Sequence, residues 1–240
     1  LHFTIHSFPT RRSSDLIAGS FNSDLKHEKP EKELPALVES IRNGSSKIFH
    51  IPSGQYQSIN SQYPIGIFDS GIGGLTVLEA ILGSDRFNNI THRPGSDGIP
   101  DFAKERFIYL GDQANMPYGN YPSEGKTNFL RELIIRDAAF LLGKRYWPSP
   151  DSDAPLYNKP PVKAIVIACN TATAYGLEDL KKALNVWNIP IYIVGVVEAG
   201  VGGAMKLKEE NNGHGGIAVM ATVGTCKSEG YLRAIDQVSR

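Results

Sequence analysis

The sequence predicts an α/β fold built on a parallel sheet, and three observations carry that reading. From Tyr63 onward, short apolar runs alternate with helical patterns. The strand candidates are apolar throughout, without in–out alternation, as strands covered on both faces are. Two of them break into small and polar residues just where a helix would begin, at DSGIGG (69–74) and CNTAT (169–173).

In chain order, the expected strands are PIGIF (64–68), RFIYLG (106–111), KAIVIA (163–168), PIYIVGVV (190–197) and GIAVMA (216–221). Leu75, Leu78 and Leu82 form one face of a helix after the first strand. Ser123 is the expected N-cap of a long helix carrying Phe129, Leu133, Ile134, Ala138, Leu141 and Leu142. Leu177, Leu180 and Leu184 repeat at helical spacing after the cysteine of the second break. Residues 84–104 and the proline-rich 146–161 read as surface loops that lengthen connections. GNYPSEGKT (119–127) approaches a phosphate-binding loop, but five residues separate its glycines where that loop needs four, and no strand leads into it. That reading is set aside.

Residues 1–62 are expected to be a disordered or non-native leader and are excluded from the fold argument. The chain begins with Leu1, FPTRRSSDL (8–16) resembles translated adapter sequence, and the charge run EKPEKE (28–33) lies among polar residues without periodicity.

Composition narrows the class. The 240 residues can hold one large or two small domains. Lys plus Arg equals Asp plus Glu at 25 each, which gives no reason to expect a nucleic-acid partner. Cys169 and Cys226 are too few for a disulfide framework and point to a reduced, cytoplasmic chain. No apolar run approaches a membrane span, and LHFTIHSF lacks the pattern of a secretory signal. The histidines (His2, His6, His27, His50, His92, His214) have no ligand spacing, so no metal site is expected.

Two turns could carry chemistry. In DSGIGG the glycines can aim N–H groups at a carboxylate or phosphate at a helix N-terminus. Asp69 is then placed to meet an ammonium group or to move a proton. The competing reading is a capping Asp or Ser with glycines that serve helix packing, and the motif alone leaves both open. In ACNTATA, Cys169 sits at the start of a helix whose N-terminus would lower its pKa, with Asn170 and Thr171 beside it. The alternative is a buried cysteine acting as a small hydrophobe, and the polar turn favours the functional reading. Cys226, in ATVGTCKSEGY (221–231), reads as packing or incidental exposure. A thiol, a carboxylate and small donors around one ligand suggest acid–base chemistry at carbon, or acyl transfer.

Five segments, IGIFDSGIGGLTVL (65–78), YLGDQANMPYG (109–119), VIACNTATA (166–174), VGVVEAG (194–200) and TVGTCKSEGY (222–231), together resemble the glutamate racemases, within the cofactor-independent aspartate/glutamate racemase superfamily. The resemblance implies two similar parallel-sheet α/β domains with the active site between them, the first over 63–187 and the second, incomplete here, over 188–240. It implies an isomerase that interconverts L- and D-glutamate by a two-base cysteine mechanism, without a cofactor, supplying D-glutamate for peptidoglycan synthesis in the cytoplasm. Its partner would be the amino acid, and a homo-oligomer is compatible with it. By motif, Cys169 would be one of two catalytic cysteines, and Asp69 would share in catalysis while it and Ser70 meet the ammonium and carboxylate. Tyr118 and Gly119 would hold the substrate's backbone or side chain, and Asn170 and Thr171 would bind it beside the cysteine. Glu198 would stand near the site, with Thr222 and Thr225 lining the second-domain wall.

The chain also departs from the family. Gln113 and Asn115 stand where Thr and Arg are commoner, Ala199 stands where Pro is, and the loops before Arg106 and Val162 are long. The family's second cysteine belongs to a Cys-Thr-His segment that does not occur in these residues. Cys226 occupies a usually aliphatic position, so the expectation is that the chain stops before its second base. The rival readings are a racemase of aspartate or another amino acid, and a catalytically silent amino-acid-binding protein.

Overall fold

The computed structural model describes residues 33–46, 48–52, 54–214 and 216–239. In chain order its elements are α1 (Ala36–Arg42), β1 (Ile65–Asp69), α2 (Leu75–Leu82), β2 (Phe107–Gly111), α3 (Thr127–Leu142), β3 (Ala164–Ile167), α4 (Asn170–Val186), β4 (Tyr192–Gly195), α5 (Val196–Glu210), α6 (Val223–Lys227) and α7 (Gly230–Val238). The strands form one parallel sheet in the order β2-β1-β3-β4. The chain leaves β1 to lay β2 on one side, then crosses back to lay β3 on the other. The order therefore reverses between β1 and β3, and a crevice opens at their carboxyl ends, beside Asp69 and Cys169.

Crossover handedness decides which face is covered. Right-handed connections that run in opposite directions put their helices on opposite faces of the sheet. Thus α3 and α4, on the β2→β3 and β3→β4 crossovers, share one face. They bury Phe68, Ile165 and Ile167 completely. Gly66 lies on this face, where a Cβ would stand 3.0 Å from both Leu141 and Val162. Helices α3 and α4 pack on each other through Gly176 against Ile134, and through the buried pair Arg131–Asp179 at 2.6 Å. Among the described residues the opposite face has only the short α2. Ile67 is buried there, but Tyr192 and Val194 remain 78% and 50% exposed, so the expected cover on both faces is not complete.

Four of the five expected strands form. The fourth is shorter than 190–197, because the backbone turns into α5 at Val196, whose Val197 and Val201 bury against Ala234 of α7. This strand lies in the stretch expected to open the second domain, and it pairs with β3 at the edge of the same sheet. The fifth, GIAVMA, is not a strand: 216–221 pairs with nothing in the described sheet, and Met220 is 88% exposed. A strand needs a neighbour for its backbone groups, and this segment is not brought to either sheet edge. Ser123 is not the α3 cap either. It lies in a 3-10 stretch, Tyr118–Glu124, which Gly125 closes in the left-handed region (φ 70°) before α3 starts at Thr127.

The leader expectation fails over its second half. Val38 of α1 is fully buried in the main core, and Trp187 Nε1 donates to its carbonyl at 2.9 Å. The Tyr56 hydroxyl reaches the Val162 carbonyl at 3.0 Å, and Gln55 Nε2 donates to the Leu142 carbonyl at 2.8 Å. These bonds satisfy the last carbonyl of α3 and the approach to β3, backbone groups that would otherwise be orphaned. Residues 1–32, including the adapter-like stretch and His2, His6 and His27, lie outside the described residues. Among the described residues no helix is long and apolar enough to cross a membrane.

Candidate active site

Asp69 ends β1 with its side chain buried, and its Oδ2 accepts the Gly74 N–H at 2.9 Å. This bond curls residues 70–73 into a tight turn over the start of α2. Gly74 has no room for a side chain, since a Cβ would stand 2.7 Å from Ala168 Cβ and 2.9 Å from Asp69 Cβ. The Tyr109 hydroxyl, from β2, ties the same turn down by donating to the Gly71 carbonyl at 3.2 Å. Asp69 therefore ties the DSGIGG turn, as the capping reading expected, and Ser70 lies beside Cys169 at the crevice.

Cys169 faces it from the turn between β3 and α4. The thiol lies 3.5 Å from Ser70 Oγ, across 99 residues of sequence. As the N-cap of α4, its sulfur accepts the Ala172 N–H at 3.4 Å. The expected lowering of its pKa is overturned. Burial pushes the thiol above its ordinary value, and the Asp69 charge adds to this against the opposing bonds from Ser70 and Ala172. Cys169 is 7% exposed and belongs to the main hydrophobic cluster, so it is a turn residue and a core residue together.

Beside the cysteine, three hydroxyls meet. Thr171 and Thr225 lie 2.8 Å apart, and Thr222 lies 3.1 Å from Thr225 while capping α6 through the Thr225 N–H. Gly119 packs directly on this group: a Cβ there would stand 2.9 Å from Thr222 Oγ1, and Gly224 presses against the Gly119 carbonyl. Asn170 Oδ1 accepts from the Tyr231 hydroxyl at 3.1 Å. The structure thus gathers Asp69, Ser70, Cys169, Asn170, Thr171, Gly119, Thr222 and Thr225 around the start of α4.

Two expected site residues stand apart. The Tyr118 ring is buried, and its hydroxyl lies 2.6 Å from Asp112 Oδ2 and 2.8 Å from Asp137 Oδ2. Tyr118 is engaged by the half-exposed Asp112 and the buried Asp137 and not by the threonine group. Glu198 lies in the first turn of α5, where a Cβ on Gly195 would come 2.6 Å from its Oε2. That oxygen is enclosed and has no hydrogen-bond partner among the described residues. No grouping of three His, Cys, Asp or Glu side chains that could hold a metal occurs among them either.

Comparison with known proteins bears on what this crevice is for. No protein-family model matches the chain. Over 177 residues, 74% of this chain and 48% of the relative, it is 38% identical to a glutamate racemase of Enterococcus faecalis. A glutamate racemase of a Sulfurihydrogenibium species is 35% identical over 177 residues, 74% of this chain and 51% of that one. Over about three quarters of its length the chain is similar to glutamate racemases. Among solved structures, a glutamate racemase isoform from Bacillus anthracis matches with a TM-score of 0.50 and 29% identity, covering 75% of this chain and 50% of that one. The chain spans about half the length of the glutamate racemases it matches.

Four residues carry more of this geometry than sequence reasoning assigned. Asp112 and Asp137 hold Tyr118, Tyr231 holds Asn170, and Tyr175 donates to the Gly224 carbonyl at 2.8 Å. Asp137 left a readable signal, an acid among Leu133, Ile134, Ala138 and Leu141 on the apolar face of α3. Asp112 left another, a carboxylate at the end of β2 just as Asp69 stands at the end of β1.

Proposed function

We propose that this crevice is one wall of a glutamate site, and that the protein interconverts L- and D-glutamate by proton transfer at the α-carbon without an organic cofactor. The observation that supports this most is the meeting of thiol, hydroxyl and carboxylate at the point where strand order reverses, with Cys169 Sγ 3.5 Å from Ser70 Oγ. The relatives' names supply the substrate. In this reading Cys169 rests as the thiol, because burial disfavours its charge. It delivers a proton to one face of the α-carbon, and Ser70 and the Ala172 N–H stabilise the thiolate left behind. The reverse reaction uses that thiolate as base. Asp69 and Ser70 meet the ammonium and carboxylate, and Gly119, Asn170, Thr171, Thr222 and Thr225 line the wall. Tyr118 acts through its turn, and Glu198 stands apart from this wall.

A two-base reaction needs a second group on the opposite face of the substrate. We do not assign it to Cys226, whose thiol reaches the Ala221 carbonyl at 3.7 Å. The second α/β domain expected from residue 188 would supply that face. Provision of D-glutamate for peptidoglycan, in the cytoplasm, is the role that follows.

Solvent exchange tests the reading. In D2O the protein with the second domain's base in place is expected to exchange the α-proton of glutamate faster than that of aspartate, followed by proton NMR, and Cys169→Ser is expected to stop it. Faster exchange of aspartate would overturn the substrate assignment. Glutamate binding by calorimetry with no exchange would favour the silent binding protein, the reading that the enclosure of Cys169 supports.

A further inference from the structure

The Tyr118 hydroxyl sits within hydrogen-bond reach of two carboxylates, at 2.6 and 2.8 Å, yet a phenol has one hydrogen to donate. Both acids cannot accept it, so one of them must bring a proton of its own. Asp112 is half-exposed and accepts from Asn115 Nδ2 on both oxygens, at 2.8 and 2.9 Å, which suits a carboxylate. Asp137 is buried on the inner face of α3, where Tyr118 is its side chain's hydrogen-bond partner among the described residues.

We infer that Asp137 carries a proton in the native chain and donates it to Tyr118, which donates to Asp112, making Asp137 the positioning residue of the Pro117–Gly119 turn. The charges around it agree. Burial comes first and Asp112 second in pushing the Asp137 carboxyl well above the usual range, Asp69 adds to the push, and the bond from Tyr118 and the charge of Arg136 oppose it. Tyr121 packs edge-on against the Tyr118 ring, with centroids 6.2 Å apart. The relay ends where the threonine wall begins: Tyr118 is followed by Gly119, which packs on Thr222, and the Asn120 N–H closes the turn on the Pro117 carbonyl at 3.2 Å. What the turn does for a substrate rests on the glutamate reading; the proton and the turn do not.

The test therefore needs no substrate. A carboxyl whose pKa is raised on folding lends stability that is complete below its unfolded pKa and lost as pH rises through the folded value. Asp137→Asn keeps an N–H donor for Tyr118 and does not titrate. Its unfolding constant in urea should improve on the parent's by about tenfold for each pH unit between the ordinary carboxylate range and the raised pKa. A gap between the two proteins that stays constant with pH would overturn the protonated acid. Difference infrared at neutral pH should show a carboxylic-acid carbonyl band in the parent that Asp137→Asn lacks, and its absence from the parent would count equally against it. For positioning, Asp137→Ala should speed hydrogen exchange of the Asn120 amide by about tenfold or more, while Asp137→Asn restores the parent's protection. Unchanged exchange in Asp137→Ala, or failure of Asn to restore it, would overturn the positioning role.

Discussion

At Cys169 two electrostatic effects act on one sulfur, and the larger comes from tertiary packing. The start of α4 and Ser70 favour the thiolate, whereas burial and the Asp69 charge favour the thiol, and burial dominates. Alkylation by iodoacetamide, followed residue by residue with mass spectrometry, should therefore label the half-buried Cys226 first at neutral pH. Cys169 should gain rate only as pH climbs above the ordinary thiol range, where its thiolate begins to form. Equal labelling of both at pH 7 would contradict the raised pKa. The polar turn was legible in CNTAT, because helix-start chemistry is local. The burial was not, because it is made by groups from distant segments, Ser70 among them from 99 residues away. Tyr118 repeats the lesson: its motif is readable in the sequence, but its partner Asp137 belongs to another element.

Among the elements, the α3–α4 contact carries the sheet's covered face, and Gly176 sets how closely the two helices approach. On helix propensity alone, Gly176→Ala would gain about 1 kcal/mol. The added Cβ would stand 2.5 Å from Ile134 Cγ2, on a side chain that is itself fully buried and cannot swing away. Overpacking of this kind costs about 1–3 kcal/mol, so the variant should melt below the parent. Gly176→Ala should cost less in an Ile134→Ala background than in the parent, since Ile134→Ala removes the branch that clashes. A Gly176→Ala protein that gained stability would show that the helices separate freely. The periodicity of both helices was legible because apolar spacing is local. The start of α3 was not, since Gly125 in the left-handed region breaks the run after Ser123 and restarts the helix at Thr127. The partnership of Arg131 with Asp179 was also invisible, being a contact between helices 48 residues apart.

Across the whole molecule, crossover handedness explains what strand patterning could not. Four apolar strands were readable as strands, but their apolarity overstated the cover, because α3 and α4 fall on one face and, among the described residues, α2 alone serves the other. GIAVMA has the same local character as the four and stays unpaired, which shows that a strand is completed by its neighbour. The segment from residue 33 errs in the opposite direction. Its weak periodicity hides a few well-placed anchors, and the main core includes Val38 and Tyr56 beside Leu142 and Leu184. If residues 33–62 fold cooperatively with the sheet, trimming one anchor must weaken the entire domain. Val38→Ala should then lower the global unfolding free energy by about 2 kcal/mol, with the denaturant midpoint falling and the slope unchanged. A segment that merely rests on the surface would leave the midpoint where it was. The Trp187 fluorescence transition reads the outcome directly, because its indole donates to the Val38 carbonyl, and it should move together with the far-ultraviolet signal of α3 and α4.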